Sequence, residues 1–527
     1  MSAWPPQDPL IGITPLFLIA MAFLITALGI VIKSSKFFKA LAFIVTAIVF
    51  AITIYIMHKV ISLKEPQLYF FGGYPPPLGI AYEVDVLNAI LGLLASTIML
   101  LSIIYSAWYM KFPRIYLYYT LCLTLLGGSL GCLYTGDYFN FFVMLEVLSL
   151  SAYALVAYFR DSPKSIEAAI RFAFIGIISS GFYLLSAFIA YASIGTLNMA
   201  DIALKARNPT AITPFSATIF GNIVMASTMI VALTMWTWTF KAAVFPNHFW
   251  LPDAVPEAPT PISAVFVGVV DLIGIYGAIR MFYTFFGSDS AVLPSQFRAH
   301  ALLILQVLAI ISVFIGAFLL IIQEDVKRFV AYSTISHLGL IFMALTLSTR
   351  EGISAATLHT VSNSFAEALL FYSTGIAIVA MGRSIETLGT LRRYRVALAG
   401  LVIALLNLLG VPPLLGFWSK YLLFKAFLDA GSLHGVVVLV LATGISAIGY
   451  FKVIFNAFKP VEKVKEDVRL RNTALADITI ILSILVIIGI GILYMLDQST
   501  REFILSIGRY VTEEQKTYYA FLTFLNP

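Results

Sequence analysis

Seven ionisable side chains sit inside runs of apolar residues. Glu146 interrupts Phe141-Phe142-Val143-Met144-Leu145-Glu146-Val147-Leu148, Lys241 closes a second run, and Asp271, His337, His359, Glu367 and Lys420 lie within four more. Each such group costs a few kcal/mol at the centre of a bilayer, which makes each a candidate functional residue. Taken singly, any of them could be a hydrogen-bonded group that fixes helix packing. Seven spread over six runs are what a proton relay requires, because every hop needs a donor and an acceptor within hydrogen-bond or one-water reach. A carboxylate that moves beside a buried ammonium changes how tightly that ammonium holds its proton, so Glu146 and Lys241 could load and release one. Glu167 and Arg171, four apart on one helical face, read either as an interfacial anchor or as part of the way in.

The elements that must hold these groups are membrane helices. Of 527 residues 60% are hydrophobic and only 11% charged, with mean hydropathy +0.94, whereas soluble domains carry roughly a quarter charged residues. Apolar runs long enough to cross a bilayer predict fourteen spans, at 11–32, 38–59, 86–109, 115–134, 139–158, 166–194, 220–245, 261–286, 301–322, 328–348, 354–381, 396–426, 433–457 and 474–494. The outer segment 61–85, with Gly72, Gly73 and Pro75 to Pro77, reads as a turn-rich loop. Lys and Arg test the count. Eighteen fall after spans one, three, five, nine, eleven and thirteen, and nine fall on the other side, the tail included. That asymmetry places both termini outside the cytoplasm, in a multi-pass protein of the plasma membrane.

Met1 to Pro9 contains no Lys or Arg, so the first run is expected to be a retained helix rather than a cleaved signal. The net charge of +6 lies in short loops and does not imply nucleic acid. Cys122 and Cys132, ten apart in one run, fit neither a disulfide framework nor a metal cage. No four-Cys cluster, G-x-G-x-x-G or HExxH motif occurs, so no cofactor or metal is expected and the chain has no redox centre of its own.

Two spans are interrupted. The seventh breaks at Phe245-Pro246-Asn247-His248-Phe249-Trp250-Leu251-Pro252, which adds His248 to the candidates, and the twelfth at Gly410-Val411-Pro412-Pro413. Pro removes a backbone donor, and broken helix at membrane depth survives only where protein or a watery cavity lines it. The breaks are five spans apart, each beside a lysine, Lys241 before one and Lys420 after the other. Paired interruptions point to inverted repeats. The expected architecture is therefore an all-α membrane protein of about fourteen helices. Spans one to three occupy 1–110, a first five-helix repeat (spans four to eight) 111–290, its inverted copy (nine to thirteen) 300–460, and the last span and tail 461–527.

These residues resemble the antiporter-like subunits of Mrp-type cation/proton antiporters, membrane-bound hydrogenases and respiratory complex I. Lys241-Ala-Ala-Val-Phe-Pro-Asn-His248-Phe-Trp-Leu-Pro-Asp253, with Ala258-Pro-Thr-Pro-Ile-Ser-Ala264, is similar to one family signature. Gln323-Glu-Asp-Val-Lys327-Arg328 through His337 is similar to a second, and Gly410-Val-Pro-Pro-Leu-Leu-Gly-Phe-Trp-Ser-Lys420 to a third. Asp137 and Glu146, nine apart, look like the fifth-helix motif, and Ile194-Gly-Thr-Leu-Asn198 adds to the match. The span-seven motif is most like that of the Mrp D-type subunit and its hydrogenase relatives, and a short C-terminus argues against the type ending in a long lateral helix.

The resemblance implies that Glu146 and Lys241 gate proton movement, that His337 lies on a central axis and that Lys420 is the exit; His248, His359 and Glu367 complete the candidate proton pathway. It also implies other membrane subunits as partners, within an ion-pumping oxidoreductase or an antiporter. Where the family has an eighth-helix lysine this sequence has Leu272, with Asp271 next to it, and Asn363 and Glu367 replace two eleventh-helix bases. Carboxylates are hard oxygen ligands. A Na⁺-conducting subunit using Asp271 and Glu367 is therefore an alternative to proton transfer, and a non-conducting scaffold is another.

Overall fold

A computed structural model describes residues 7–74, 76–111, 114–209, 222–460 and 472–512. Thirteen described helices are long and apolar enough to cross a membrane, from Pro9–Val31 to Ala474–Leu496. The remaining span, the twelfth, consists of two short helices, Arg395–Leu409 and Leu415–Asp429. Expected and observed spans therefore correspond one to one. Residues 220 and 221 of the seventh, Pro75 of the outer loop, and the basic residues Lys463, Lys465, Arg469, Arg471 and Lys516 lie outside the described residues.

Short polar side chains start many of the spans. Asp8, Ser34, Asp85, Asp137, Ser162, Asn222, Asp325 and Thr349 each accept a hydrogen bond from a first-turn N–H. A helix entering lipid cannot leave those donors unpaired. Asp137, half of the expected fifth-helix motif, is one of these caps, taking the Asn140 N–H at 2.6 Å. Asn198, at the end of the Ile194–Asn198 motif, caps the short helix Met199–Arg207, and Gly195 ends span six at φ 78°.

Two elements differ from expectation. The outer loop folds into an antiparallel hairpin, Gln67–Phe70 (β1) against Ala81–Val84 (β2), with strands of four residues, too short to give a periodic signal. After span fourteen comes a further helix, Gln498–Thr512, whose buried residues Ile504, Ile507, Gly508 and Val511 share one face. It seats on the start of span eleven, where the Gly508 N–H donates to Ser354 Oγ at 2.9 Å.

The bundle has a distinct centre. Span eight (Thr260–Phe285) is wholly buried within the protein, span ten (Val326–Leu345) 89% and span eleven (Arg350–Met381) 78%, against 33% for spans two and fourteen. Span eleven packs against spans eight, ten, fourteen and both halves of span twelve. Asp271, His337, His359 and Glu367 all lie on these three central helices.

Both breaks are stapled by their own side chains. In span seven the helix Ile223–Lys241 ends at Lys241 and resumes as Trp250–Glu257. Trp250 donates its indole N–H to the Phe240 carbonyl at 2.8 Å and stacks on Phe172 at 4.3 Å. Pro246 is exposed in the connection, and Pro252 lies in the first turn after it, where a missing N–H costs nothing. In span twelve Gly410, at φ 85°, ends the first half, and Val411, Pro412 and Pro413 turn the chain. Asn407 then bridges the break: its Oδ1 accepts the Gly416 N–H at 2.8 Å and its Nδ2 donates to Ser362 Oγ at 3.0 Å.

Candidate functional site

The candidate residues fall into two clusters and two outliers. The first cluster joins spans five and seven. Lys241 is buried, and its Nζ donates to Ser149 Oγ at 2.6 Å. Ser149 lies one turn along span five from Glu146 and passes its own hydrogen to the Leu145 carbonyl. Glu146 is half-buried and makes no direct ion pair with Lys241, although its charge acts on it, and its Oε1 has no hydrogen-bond partner. Gly274 of span eight permits the close approach: a Cβ there would meet the Ala242 nitrogen at 2.5 Å.

The second cluster lies at the centre and consists of Glu367 with its donors and of a hydrogen-bonded file that starts at Ser333, next to Thr334 in sequence. Glu367, fully buried, takes a hydrogen bond from Thr334 Oγ1 at 2.5 Å and one from Asn363 Nδ2 at 3.2 Å. Ser333 meets Tyr450 OH at 2.9 Å, and Tyr450 meets His337 Nε2 at 3.1 Å. His337 Nδ1 faces His359 Nε2 at 3.0 Å, and His359 Nδ1 faces Ser419 Oγ at 3.0 Å. Every member is a group that can both give and accept a hydrogen, so the file can conduct in either direction. Ser419 precedes Lys420, which is half-buried, donates from Nζ to Thr443 Oγ1 at 3.0 Å and lies near enough for its charge to act on both imidazoles.

Asp271 enters from span eight at the end of a π-helical stretch, Phe266–Val270. It is buried, and both of its carboxyl oxygens lack a hydrogen-bond partner. Its neighbour in sequence, Leu272, is an ordinary buried apolar residue. The other outlier is His248, half-buried in the break of span seven. Its Nδ1 has no partner, and no hydrogen bond joins it to another candidate among the described residues. Glu167 and Arg171 form an exposed pair at 2.5 Å, and Arg171 also reaches Asp253 at 3.5 Å; neither bonds to Glu146.

Three residues carry no mark in the sequence that singles them out as readily. Tyr450, on span thirteen, links His337 to Ser333, but nothing distinguishes it among 26 tyrosines. Arg280, on span eight, is anchored by Asp85 at 2.6 Å and by Asn88; a lone arginine late in an apolar run was the available signal. Lys327, expected to be a loop cation, is in fact buried. Its Nζ donates to the carbonyls of Ala258 at 2.6 Å and Pro256 at 3.3 Å and to Ser263 Oγ at 3.1 Å. Those carbonyls lie at the C-terminal end of the helix Trp250–Glu257, and the ammonium caps them.

Residues 135–446, which include every candidate from Asp137 to Lys420, match the family described as NADH:quinone oxidoreductase/Mrp antiporter, transmembrane. The chain belongs to this family. Within it, the chain is 32% identical over 454 residues to the N-type subunit of the NADH-quinone oxidoreductase of Desulforudis audaxviator, covering 85% of this chain and 86% of that protein. It is 27% identical over 400 residues to the D-type subunit of the Na⁺/H⁺ antiporter of Alkalihalophilus pseudofirmus, covering 75% and 77%. A chain of an archaeal respiratory complex, the membrane-bound sulfane sulfur reductase, superposes with a TM-score of 0.85 at 29% identity, over 97% of this chain and 99% of that one. The Mrp complex of a Dietzia species contains the same fold at 20% identity, with a TM-score of 0.81 over 98% and 100%. The chain is thus an antiporter-like subunit of the type found in Mrp, complex I and membrane-bound respiratory assemblies, as its motifs implied.

Proposed function

We propose that this chain is the proton-translocating subunit of a multi-subunit membrane complex, with entry at Glu146 and Lys241 and exit at Lys420. The observation that carries the reading is the hydrogen-bonded file from Ser333 through Tyr450, His337 and His359 to Ser419. With all donors of that file pointing toward Ser419, a proton that Glu367 passes through water to Ser333 hops along it and leaves the donors pointing back. Hydroxyl rotation and tautomer exchange then reset it. Glu146 and Lys420 are half-buried while the groups between them are buried, which suits a route with two mouths and a sealed middle. No side-chain hydrogen bond joins Lys241 to Asp271 or Glu367 among the described residues, so that step falls to water.

The reading includes two inverted repeats, spans four to eight and nine to thirteen. Two close approaches at corresponding places support it. A Cβ on Gly128 of span four would meet the Leu148 nitrogen of span five at 2.5 Å, and one on Gly316 of span nine would meet the Ser336 nitrogen of span ten at 2.5 Å. The charge asymmetry supports a plasma-membrane placement with both termini outside, and the neighbouring assemblies support other membrane subunits as partners. The test is translocation in proteoliposomes by complexes carrying Glu146→Gln or Lys241→Ala. Both should assemble with their partners and lose roughly tenfold or more of their proton flux. Normal flux in both variants would sink the relay and leave the chain a scaffold.

A further inference from the structure

A groove of about 1110 Å³ opens where span four (Ile115–Tyr134) begins, span five (Tyr138–Val156) ends and span six (Pro163–Ile194) begins. Arg114 and Arg160 stand at its mouth, and Leu117, Leu121, Ala154 and Ile166 wall it. Leu121 and Ala154 lie seven and six residues in from those arginines. The groove therefore runs roughly 10 Å along the helices, from a charged mouth into an apolar depth. Tyr118 meets Tyr158 edge to face at 5.6 Å, and Ser151 Oγ donates to Thr124 Oγ1 at 2.8 Å, which hold spans four and five together. Beside that seam span five presents only Ala154 and Ala157, too small to fill the space, and Ala154 is exposed.

The mouth belongs to a rim of unbalanced positive charge. Residues 32–39, 110–114 and 157–164 carry seven Lys and Arg against one acid, Asp161, which also lines the groove. The segments are neighbours: Phe38 packs on Tyr116 at 5.9 Å, and Lys39 Nζ donates to the Ala107 carbonyl at 2.7 Å. None of the seven cations forms an ion pair among the described residues, whereas Arg171, Arg328 and Arg383 are all paired with carboxylates. Arg114 and Arg160 are exposed, so their guanidinium forks are free to take an oxyanion in charge-assisted hydrogen bonds. A basic mouth above apolar walls at a membrane boundary suits an anionic amphiphile. A soluble anion would leave the walls unused, and an apolar partner helix would leave the arginines unanswered.

We propose that this groove holds one anionic phospholipid of the bilayer, its phosphate between Arg114 and Arg160 and an acyl chain against Leu117, Leu121 and Ala154. In the proposed topology the mouth faces the cytoplasmic leaflet, where anionic headgroups are available. The inference is independent of the proton route, because none of these residues belongs to it.

The test is photo-labelling of the full-length protein, with and without its partner subunits, in phosphatidylcholine vesicles. One sample contains a trace of phosphatidylglycerol with a diazirine in its acyl chain, a second the matching phosphatidylcholine probe, and cross-linked peptides are read by mass spectrometry. The phosphatidylglycerol probe should concentrate on residues 117–121 and 154–157, the phosphatidylcholine probe should not, and added inorganic phosphate should displace neither. Arg114→Gln with Arg160→Gln should lower that labelling roughly tenfold. Ala154→Phe, which fills the groove and leaves the charge unchanged, should lower it as far, and Lys33→Gln with Lys36→Gln should leave most of it. Labelling spread evenly over the lipid-facing spans would overturn the site, and equal concentration of both probes would overturn its anionic selectivity. Displacement by inorganic phosphate would overturn the lipid in favour of a free anion. Labelling of the chain alone but not of the complex would overturn it in favour of a partner subunit.

Discussion

At the scale of single residues, the proposed proton route depends on groups that can reverse a hydrogen bond. Glu367, His337 and His359 were identifiable from sequence because ionisable groups in an apolar run are costly enough to need a reason. Ser333, Thr334, Tyr450 and Ser419, which bond to one or another of them or to each other, were not, because hydroxyls are cheap in helices and bond to their own backbone by default. Tyr450 is the sharpest case, a phenol on span thirteen whose only distinction is its position between Ser333 and His337. Tyr450→Phe keeps the ring and removes the link. The expected result is normal assembly with proton flux reduced roughly tenfold or more, as for loss of one proton-transfer partner. Unchanged flux would mean that protons bypass His337.

At the scale of elements, the two interrupted spans are closed structures. Pro246, Pro252, Pro412 and Pro413 announced the breaks, and the physics of a missing donor made them legible. What the prolines did not reveal is how the freed groups are satisfied, by Trp250 in span seven and by Asn407 in span twelve, or that Lys327 from span ten caps the end of the resumed helix. Asn407 is 1% exposed and serves Gly416 and Ser362 at once. Asn407→Leu should lower stability by about 1–3 kcal/mol for each group it orphans. A lower unfolding midpoint and faster amide exchange at Gly416 would report it. An unaltered midpoint would mean that water replaces the staple.

At the scale of the whole molecule, charge is gathered at one end of the bundle. Asp253 is paired with Arg328 at 3.1 Å and Arg171 at 3.5 Å, and Arg383 with Glu257 at 3.0 Å and Asp325 at 3.7 Å. These pairs tie the second half of span seven to span six, and with Asp325 they tie it to the start of span ten and to the loop after span eleven, and so join the two proposed repeats. In the proposed topology this end faces the cytoplasm. Glu65→Cys, in the opposite loop, should therefore react with a membrane-impermeant thiol reagent on intact cells, and Arg392→Cys should not. Cys122 and Cys132 are buried and should stay silent. The reverse pattern would invert the topology.

The sequence by itself determined the number of spans, the positions of both breaks, the family and most of the ionisable groups. Those features follow from local quantities: run length, proline, charge and spacing along one chain. Only the tertiary structure decided which groups touch. It bonded Lys241 to Ser149 rather than directly to Glu146, threaded Tyr450 into the histidine file, buried Lys327, set His248 apart and left Asp271 without a donor. Contacts between helices hundreds of residues apart depend on how their faces rotate against one another. In a bundle where nearly every face is apolar, hydropathy alone does not specify that rotation.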